Sequence, residues 1–292
     1  MNAFTIKDLE YLSGIKAHTI RIWEQRYGLL KPMRTPTNIR FYCNEDLKTL
    51  LNIALLNKYG FKISHIGKME PGEINNKILT LADTKAIQER VVNQLVAAMV
   101  ELDMNKFEKT IGGYISSRGI EKTVVQIIFP FLEKVGILWQ TGRIHPAQEH
   151  LVTNIVRQKL IVGIETTSSS VQIPKTFLLY LPEGEQHELG LLFMHFILKS
   201  RGARVIYLGA NVPAADVAHV VKMKRPDIAY LHLTGTSPSF NFEKFLQAVH
   251  QDMNGVPTII SGLITQQYRK KPPPSVQFKK SLGEVMEMLS NL

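Results

Sequence analysis

Beyond residue 169 the chain alternates short apolar runs with amphipathic runs of helical period, and few folds satisfy that alternation. Strands are predicted at Thr176–Leu181, Arg204–Leu208, Ile228–Leu233 and Thr258–Ser261, with helices at Glu188–Arg201, Ala214–Lys224, Phe242–Met253 and Glu284–Leu289. Strands joined by crossover helices pair in parallel, which predicts a flavodoxin-like (Rossmann-type) α/β domain. Sheets of that kind take ligands beyond the carboxyl ends of their strands. The loop after the first strand, Glu185-Gln186-His187-Glu188-Leu189-Gly190, is therefore the first candidate site. A neutral His187 there can ligate a metal, Glu185 can hold its second ring nitrogen, and Gly190 lets a large planar ligand approach the backbone. A surface histidine at a helix start, with Glu188 complementing the helix dipole, is the other reading of the same residues.

The spacing Glu185-x-His187-x-x-Gly190 resembles the Asp-x-His-x-x-Gly signature of cobalamin-binding domains. The resemblance implies that His187 replaces the nucleotide base as lower ligand of cobalt, with Glu185 behind it. Gly209-Ala210-Asn211-Val212-Pro213 closes the second strand much as Leu-Gly-x-x-Val-Pro does in that family. Two positions depart from the pattern. His232-Leu233-Thr234 stands where relatives carry Ser-x-Leu, and Ser261-Gly262 where they carry Gly-Gly. Those small residues leave room for the cofactor's nucleotide tail, so Ser261 and Gly262 are carried as cofactor-binding positions. The bulk of His232 leaves two readings open, a tail bound differently, weakly or not at all, and a plain core or strand-end histidine.

The net charge of +10 favours a polyanionic partner, and its placement gives that meaning. Lys16, Arg21, Arg26, Lys31, Arg34 and Arg40 face the single acid Glu24 in one stretch, whereas Arg269-Lys270-Lys271 with Lys279-Lys280 reads as a solvated loop. In the first stretch, Phe4, Ile6, Leu9 and Leu12 give a helical stripe stopped at Gly14, followed by a second helix from Lys16 to Tyr27. That is a helix-turn-helix, whose second helix presents residues to base edges. Asn38-Ile39-Arg40-Phe41-Tyr42 suits a small wing, and a third helix follows with Leu47, Leu50, Leu51, Ala54 and Leu55 inside. The ordered set Arg21-x-Trp23-Glu24-x-Arg26-Tyr27-Gly28-Leu29-Leu30-x-Pro32, then Arg40-Phe41-Tyr42, resembles the winged helix-turn-helix of MerR-type regulators over residues 4 to 70. The resemblance implies that Thr19 and Arg21 meet bases while Arg26, Tyr27, Arg34, Arg40 and Tyr42 hold phosphates or line the wing. Trp23 and Tyr27 as partial core, and Tyr42 as wing packing, are the structural alternatives.

Pro71-Gly72-Glu73 is read as a linker, and Thr166 to Ser170 as a second. Between them four helical segments, Thr84–Leu102, Asn105–Ser117, Glu121–Thr141 and Pro146–Glu165, predict a four-helix bundle. Pro130 should kink or divide the third. Trp139, then Glu149-His150 ten residues on, resembles the Trp-x9-Glu-His motif of the cobalamin-binding bundle in regulators of the CarH/LitR type. There the Trp covers the upper face of the corrin and the Glu and His line the upper-ligand pocket. A core Trp at a helix end is the alternative for Trp139 alone. Light-responsive members carry a His directly after the Trp, and this chain has Gln140.

The chain of 292 residues is thus expected to be multidomain α and α/β: a MerR winged helix-turn-helix in 1–72, a helical cobalamin cap in 73–168 and an α/β cobalamin-binding domain in 169–292. No apolar run is long enough to span a membrane, and the lone Cys43 fits a reducing, cytoplasmic compartment. The expected protein is a non-enzymatic regulator, with double-stranded operator DNA as partner and adenosylcobalamin or methylcobalamin as cofactor. It would self-associate as a dimer or tetramer. A regulator whose rear is cofactor-free or governed by a protein partner is the rival reading. A methyl-transferring enzyme would need a substrate domain, and a zinc hydrolase a His-Glu-x-x-His spacing.

Overall fold

The computed structural model describes residues 3–170, 173–234 and 240–290, and the chain divides into two compact units, Met1–Val156 and Arg157–Leu292. The first unit opens with α1 (Ile6–Ser13) and α2 (Ala17–Tyr27). Thr5 caps α1 in a reciprocal box with Asp8, and Gly14 ends it in the left-handed region at φ 74°. Helix α2 has no cap of its own; Glu10 of α1 accepts from the Ala17 N–H at 3.0 Å and pairs with Lys16 at 2.9 Å. The turn between the two helices is thereby fixed. A two-stranded antiparallel wing follows, β1 (Met33–Arg34) and β2 (Arg40–Phe41), with Met33 opposite Phe41.

Helix α3 (Asn44–Lys58) buries Leu47, Leu50, Leu51, Ala54 and Leu55 as its period predicts. Cys43 is the residue before it, and its N–H is bound by Asp46 at 2.9 Å, so the thiol belongs to a helix start rather than to the wing. After the short α4 (Ile63–Ile66), the expected linker at Pro71-Gly72-Glu73 is instead the opening of α5 (Pro71–Thr80). Proline is well placed there, because the first helical N–H has no partner in any case, and the Glu70–Glu73 box completes the start.

The bundle segments are α6 (Thr84–Glu101), α7 (Met104–Arg118), α8 (Ile120–Thr123), a π-helical turn (Val124–Ile128), α9 (Phe129–Gln140) and α10 (Pro146–Thr166). Pro130 produces the predicted irregularity as that π-turn. Its ring would meet the carbonyl four residues back and it lacks the N–H to bond there, so the preceding turn widens by one residue. Phe107 and Phe131, both fully buried, pack with their rings tilted by 60° and their centroids 5.3 Å apart.

The second unit holds the parallel sheet. Its strands are β3 (Ile173–Pro182), β4 (Ala203–Val212), β5 (Ile228–His232), β6 (Thr258–Ser261) and β7 (Val276–Lys279), in spatial order β4-β3-β5-β6-β7. Helices α11 (Leu189–Ser200), α12 (Ala214–Lys224), α13 (Phe242–Asp252), α14 (Leu263–Gln267) and α15 (Leu282–Ser290) connect or follow them. This is the flavodoxin-like order, with the sheet reversing direction of growth between β3 and β5. Phe177 to Leu181 are buried on both faces, which is why that run shows no alternation. β7 went unpredicted, and it places Lys279, assigned to a solvated loop, in an edge strand paired with Ser261.

Candidate functional site

In the first unit α2 buries Ile20 and Trp23 and leaves Arg21 and Arg26 exposed, with Thr19 half-buried beside them. Arg34 on the wing is exposed and donates to Asn38 Oδ1 at 2.5 Å. These side chains form a basic surface on one helix and one hairpin. The remaining candidates turn inward. Tyr42 is fully buried, its backbone pairs with Phe4 on both sides, and its hydroxyl donates to Glu24 at 3.2 Å. Burial, followed by the charge of Glu24, pushes its phenol up to about 12. Of the two readings of Tyr42, phosphate contact or wing packing, its burial favours the second: it is a core residue that locks the wing to the body. Arg40 shares the same acid, with its Nε 3.1 Å from Glu24. Tyr27 is half-buried, lies under Arg26 at 5.6 Å and packs where a Cβ on Gly67 would come within 3.1 Å of it. Glu24, the single acid of the stretch, thus serves structure, held by Arg40 and the Tyr42 hydroxyl.

Further along the same unit, Trp139 ends α9 with 51% of its surface exposed, which excludes the core alternative. The side chain of Gln140 lies outside the described residues. Glu149, in the first turn of α10, accepts from Thr153 at 2.8 Å and lies 3.3 Å from the exposed His150 ring. His145 Nδ1 accepts from the Ala147 N–H, so this ring caps α10.

The loop carrying these groups is tied down by residues that spacing had treated as filler. Gln148 is buried and donates to the Met99 and Val100 carbonyls, and Arg143 lies 2.9 Å from Asp8 and donates to Ala3 O. From the same arm, Lys134 on α9 donates to Leu12 O and Asn93, each at 2.9 Å, and burial lowers its pKa to about 8. Helix α1 of the helix-turn-helix is therefore gripped at its start by Arg143 and at its end by Lys134. No local sequence pattern signals either contact, since both join residues more than a hundred positions apart.

In the second unit, Glu185 is buried and receives both the backbone N–H of His187 at 2.9 Å and its ring Nδ1 at 2.7 Å. A proton shared on Nδ1 leaves the lone pair of the neutral ring on Nε2, the nitrogen suited to a metal. The side chain of His187 is 69% exposed beyond the end of β3. Two further bonds hold the loop in place: Asn211, at φ 58°, donates its N–H to Glu185 O at 3.1 Å and accepts from Gly184 N–H at 2.8 Å. Glu188 is held by Arg157 and by the Tyr207 hydroxyl, so it is engaged rather than merely facing the helix dipole.

The glycine expectations fare differently. A Cβ on Gly190 would lie 2.2 Å from Cδ2 of His232, so this glycine makes room for a histidine ring. Ser261 is 3% exposed, and its hydroxyl is shared by the Tyr230 hydroxyl at 2.6 Å and His232 Nδ1 at 2.8 Å. Gly262, at φ 100°, abuts the Leu233 backbone. In this structure Ser261 and Gly262 line a closed contact rather than an open channel. The residues present thus fit axial ligation of a cobalt-bearing ring through His187, and they do not fit a buried lower tail.

Residues 4–73 match the MerR HTH family regulatory protein and residues 91–162 match the B12 binding domain. The chain thus joins a segment that matches a MerR-type helix-turn-helix to one that matches a B12-binding domain, and two curated regulators are similar to it over most of its length. It is 29% identical to the HTH-type transcriptional repressor CarH of Myxococcus xanthus over 265 residues, spanning 88% of each chain. It is 26% identical to the repressor CarA of the same organism, over 91% of this chain and 88% of that one. Among solved structures, the monomethylamine corrinoid protein of Methanosarcina barkeri superposes with a TM-score of 0.53 at 10% identity, over 70% of this chain and 100% of that one, a likeness of fold. No helix among the described residues is long and apolar enough to cross a membrane.

Proposed function

We propose that this chain is a non-enzymatic, DNA-binding transcriptional repressor whose hold on its operator is set by a corrinoid of the cobalamin type. The observation that carries the reading is the His187 ring held at Nδ1 by the buried Glu185 at the end of β3, in a chain that begins with a helix-turn-helix. A corrinoid would supply a cobalt ion that a neutral imidazole can ligate. In this reading His187 would hold it as the lower ligand through Nε2. Trp139, Glu149 and His150 would line the pocket of an adenosyl or methyl group, with the indole keeping water away from it. The chain acts as a homo-oligomer, and its two-fold use of one operator gives the avidity that the ligand changes.

The ligand half is tested by titrating the purified chain with aquacobalamin and, separately, diaquacobinamide, following the absorption of the corrin. His187→Ala is expected to abolish the change that marks imidazole coordination. Glu185→Gln keeps a hydrogen-bond partner but removes its charge, and a weakening of about 10- to 100-fold is expected. A His187→Ala chain with an unchanged cobalt spectrum would overturn the assignment.

The DNA half has its own readout. If Arg34 neutralises a phosphate, Arg34→Ala should lower the slope of log affinity against log salt by about 1. An unchanged slope would remove the wing from the interface. The closure at His232 favours a second reading, a sensor that holds no corrinoid at all. Failure of either corrinoid to bind, with DNA affinity intact, would establish it.

A further inference from the structure

The reversal of the sheet lies between β3 and β5, and doubly wound sheets take their ligands in the crevice beyond the strand ends at that point. His187 stands in the loop leaving β3, and His232 is the last residue of β5. Complete cobalamin carries a nucleotide tail on the lower face of its ring, and the base of that tail is the ring's own lower ligand. Once a protein imidazole takes the lower position, the tail is displaced on the same side as the imidazole. It must then enter the crevice beside the His187 loop.

Among the described residues the His232 ring stands in that crevice, partly buried. The His232 ring lies so close to Gly190, the first-turn residue of α11, that a Cβ there would be 2.2 Å from its Cδ2 and 2.6 Å from its Nε2. Its Nδ1 is fixed by Ser261, whose hydroxyl is in turn bonded to the buried Tyr230. Behind it, the Leu233 backbone closes against Gly262 and its N–H is bonded to Ser261 O at 2.9 Å. A flexible surface side chain could swing aside at little cost. This ring is packed against the Gly190 backbone on one side and bonded to the Ser261 hydroxyl on the other, and admitting a tail requires giving up both contacts.

We propose that His232 is the specificity-determining residue of this site, and that it selects a corrinoid lacking the lower nucleotide tail, a cobinamide-type ring, over complete cobalamin. The inference rests on the corrinoid reading given above and concerns only the lower side of the ring. The upper substituent is untouched by it.

The test compares dissociation constants of diaquacobinamide and aquacobalamin for the wild-type chain, read by absorption, and repeats both for His232→Ser. The expected wild-type preference is tenfold or more for diaquacobinamide, and the ratio should fall at least tenfold in His232→Ser. Serine keeps a hydroxyl beside Ser261 while opening the space. Equal wild-type affinities, or a preference for aquacobalamin, would overturn the proposal whether or not the variant folds. A ratio that His232→Ser leaves unchanged would overturn the role of His232. Binding of neither corrinoid to the wild type is a different result: it removes the corrinoid reading itself, and the selectivity with it.

Discussion

Gly262→Ala is expected to destabilise the α/β unit by about 4 kcal/mol or more, the sum of backbone strain and overpacking. Two causes act together. The backbone at Gly262 has φ 100° and ψ 180°, a region that residues with a Cβ scarcely populate. The added carbon would also lie 2.2 Å from Leu233 O and 2.7 Å from Leu233 C, and that backbone is held in register by its bond to Ser261. Main chain in a strand end cannot rotate away as a side chain can. Gly190→Ala provides the contrast, since the three atoms nearest its Cβ would all belong to the His232 ring. Its cost should be recovered in large part by adding His232→Ser, whereas no such second change rescues Gly262→Ala. Urea unfolding followed by far-ultraviolet dichroism measures all four chains. A Gly262→Ala protein within about 1 kcal/mol of wild type would show that the closure at Leu233 is not rigid.

Acid should weaken the same unit. Burial lowers the pKa of His232 from its ordinary 6.5 to about 4, and the charge of Glu185 only partly opposes it. Between those values the unfolded chain takes up a proton that the folded chain does not. Stability is therefore full above pH 6.5 and declines as pH falls toward 4, by about 3 kcal/mol in all if the whole shift is realised. The physical event is loss of the neutral ring that Ser261 and Gly190 enclose. His232→Gln cannot titrate, and its unfolding midpoint should change less between pH 7 and pH 4 than that of the wild type. Equal losses in the two proteins would place the acid sensitivity elsewhere.

What could be read from the residues alone follows how local each interaction is. The βα alternation was legible because β3 is sheathed on both faces, so Phe177 to Leu181 is apolar without a break. β7 was not, because four residues behind three prolines carry too little pattern. Glu185 and His187 are two positions apart, and their pairing is visible in their spacing. The partner of Gly190 is forty-two positions away on another strand, and nothing near Gly190 announces that a ring occupies its missing side chain. Tyr42 could be read two ways for a related reason. An aromatic next to arginines reads as an outward group, yet its strand-like bridge to Phe4 turns it into the core. Pro130 was read correctly as a disruption, and only the form it takes, a widened turn, needed coordinates.

The two clasps on α1 have a mechanical meaning. Arg143 meets Asp8 near its first turn and Lys134 meets the Leu12 carbonyl near its last, so the reading head cannot pivot on the bundle about that helix while both hold. Arg143 belongs to the very loop that separates Trp139 from Glu149 and His150. A change in the shape of that loop would therefore bear directly on α1, the helix that precedes α2.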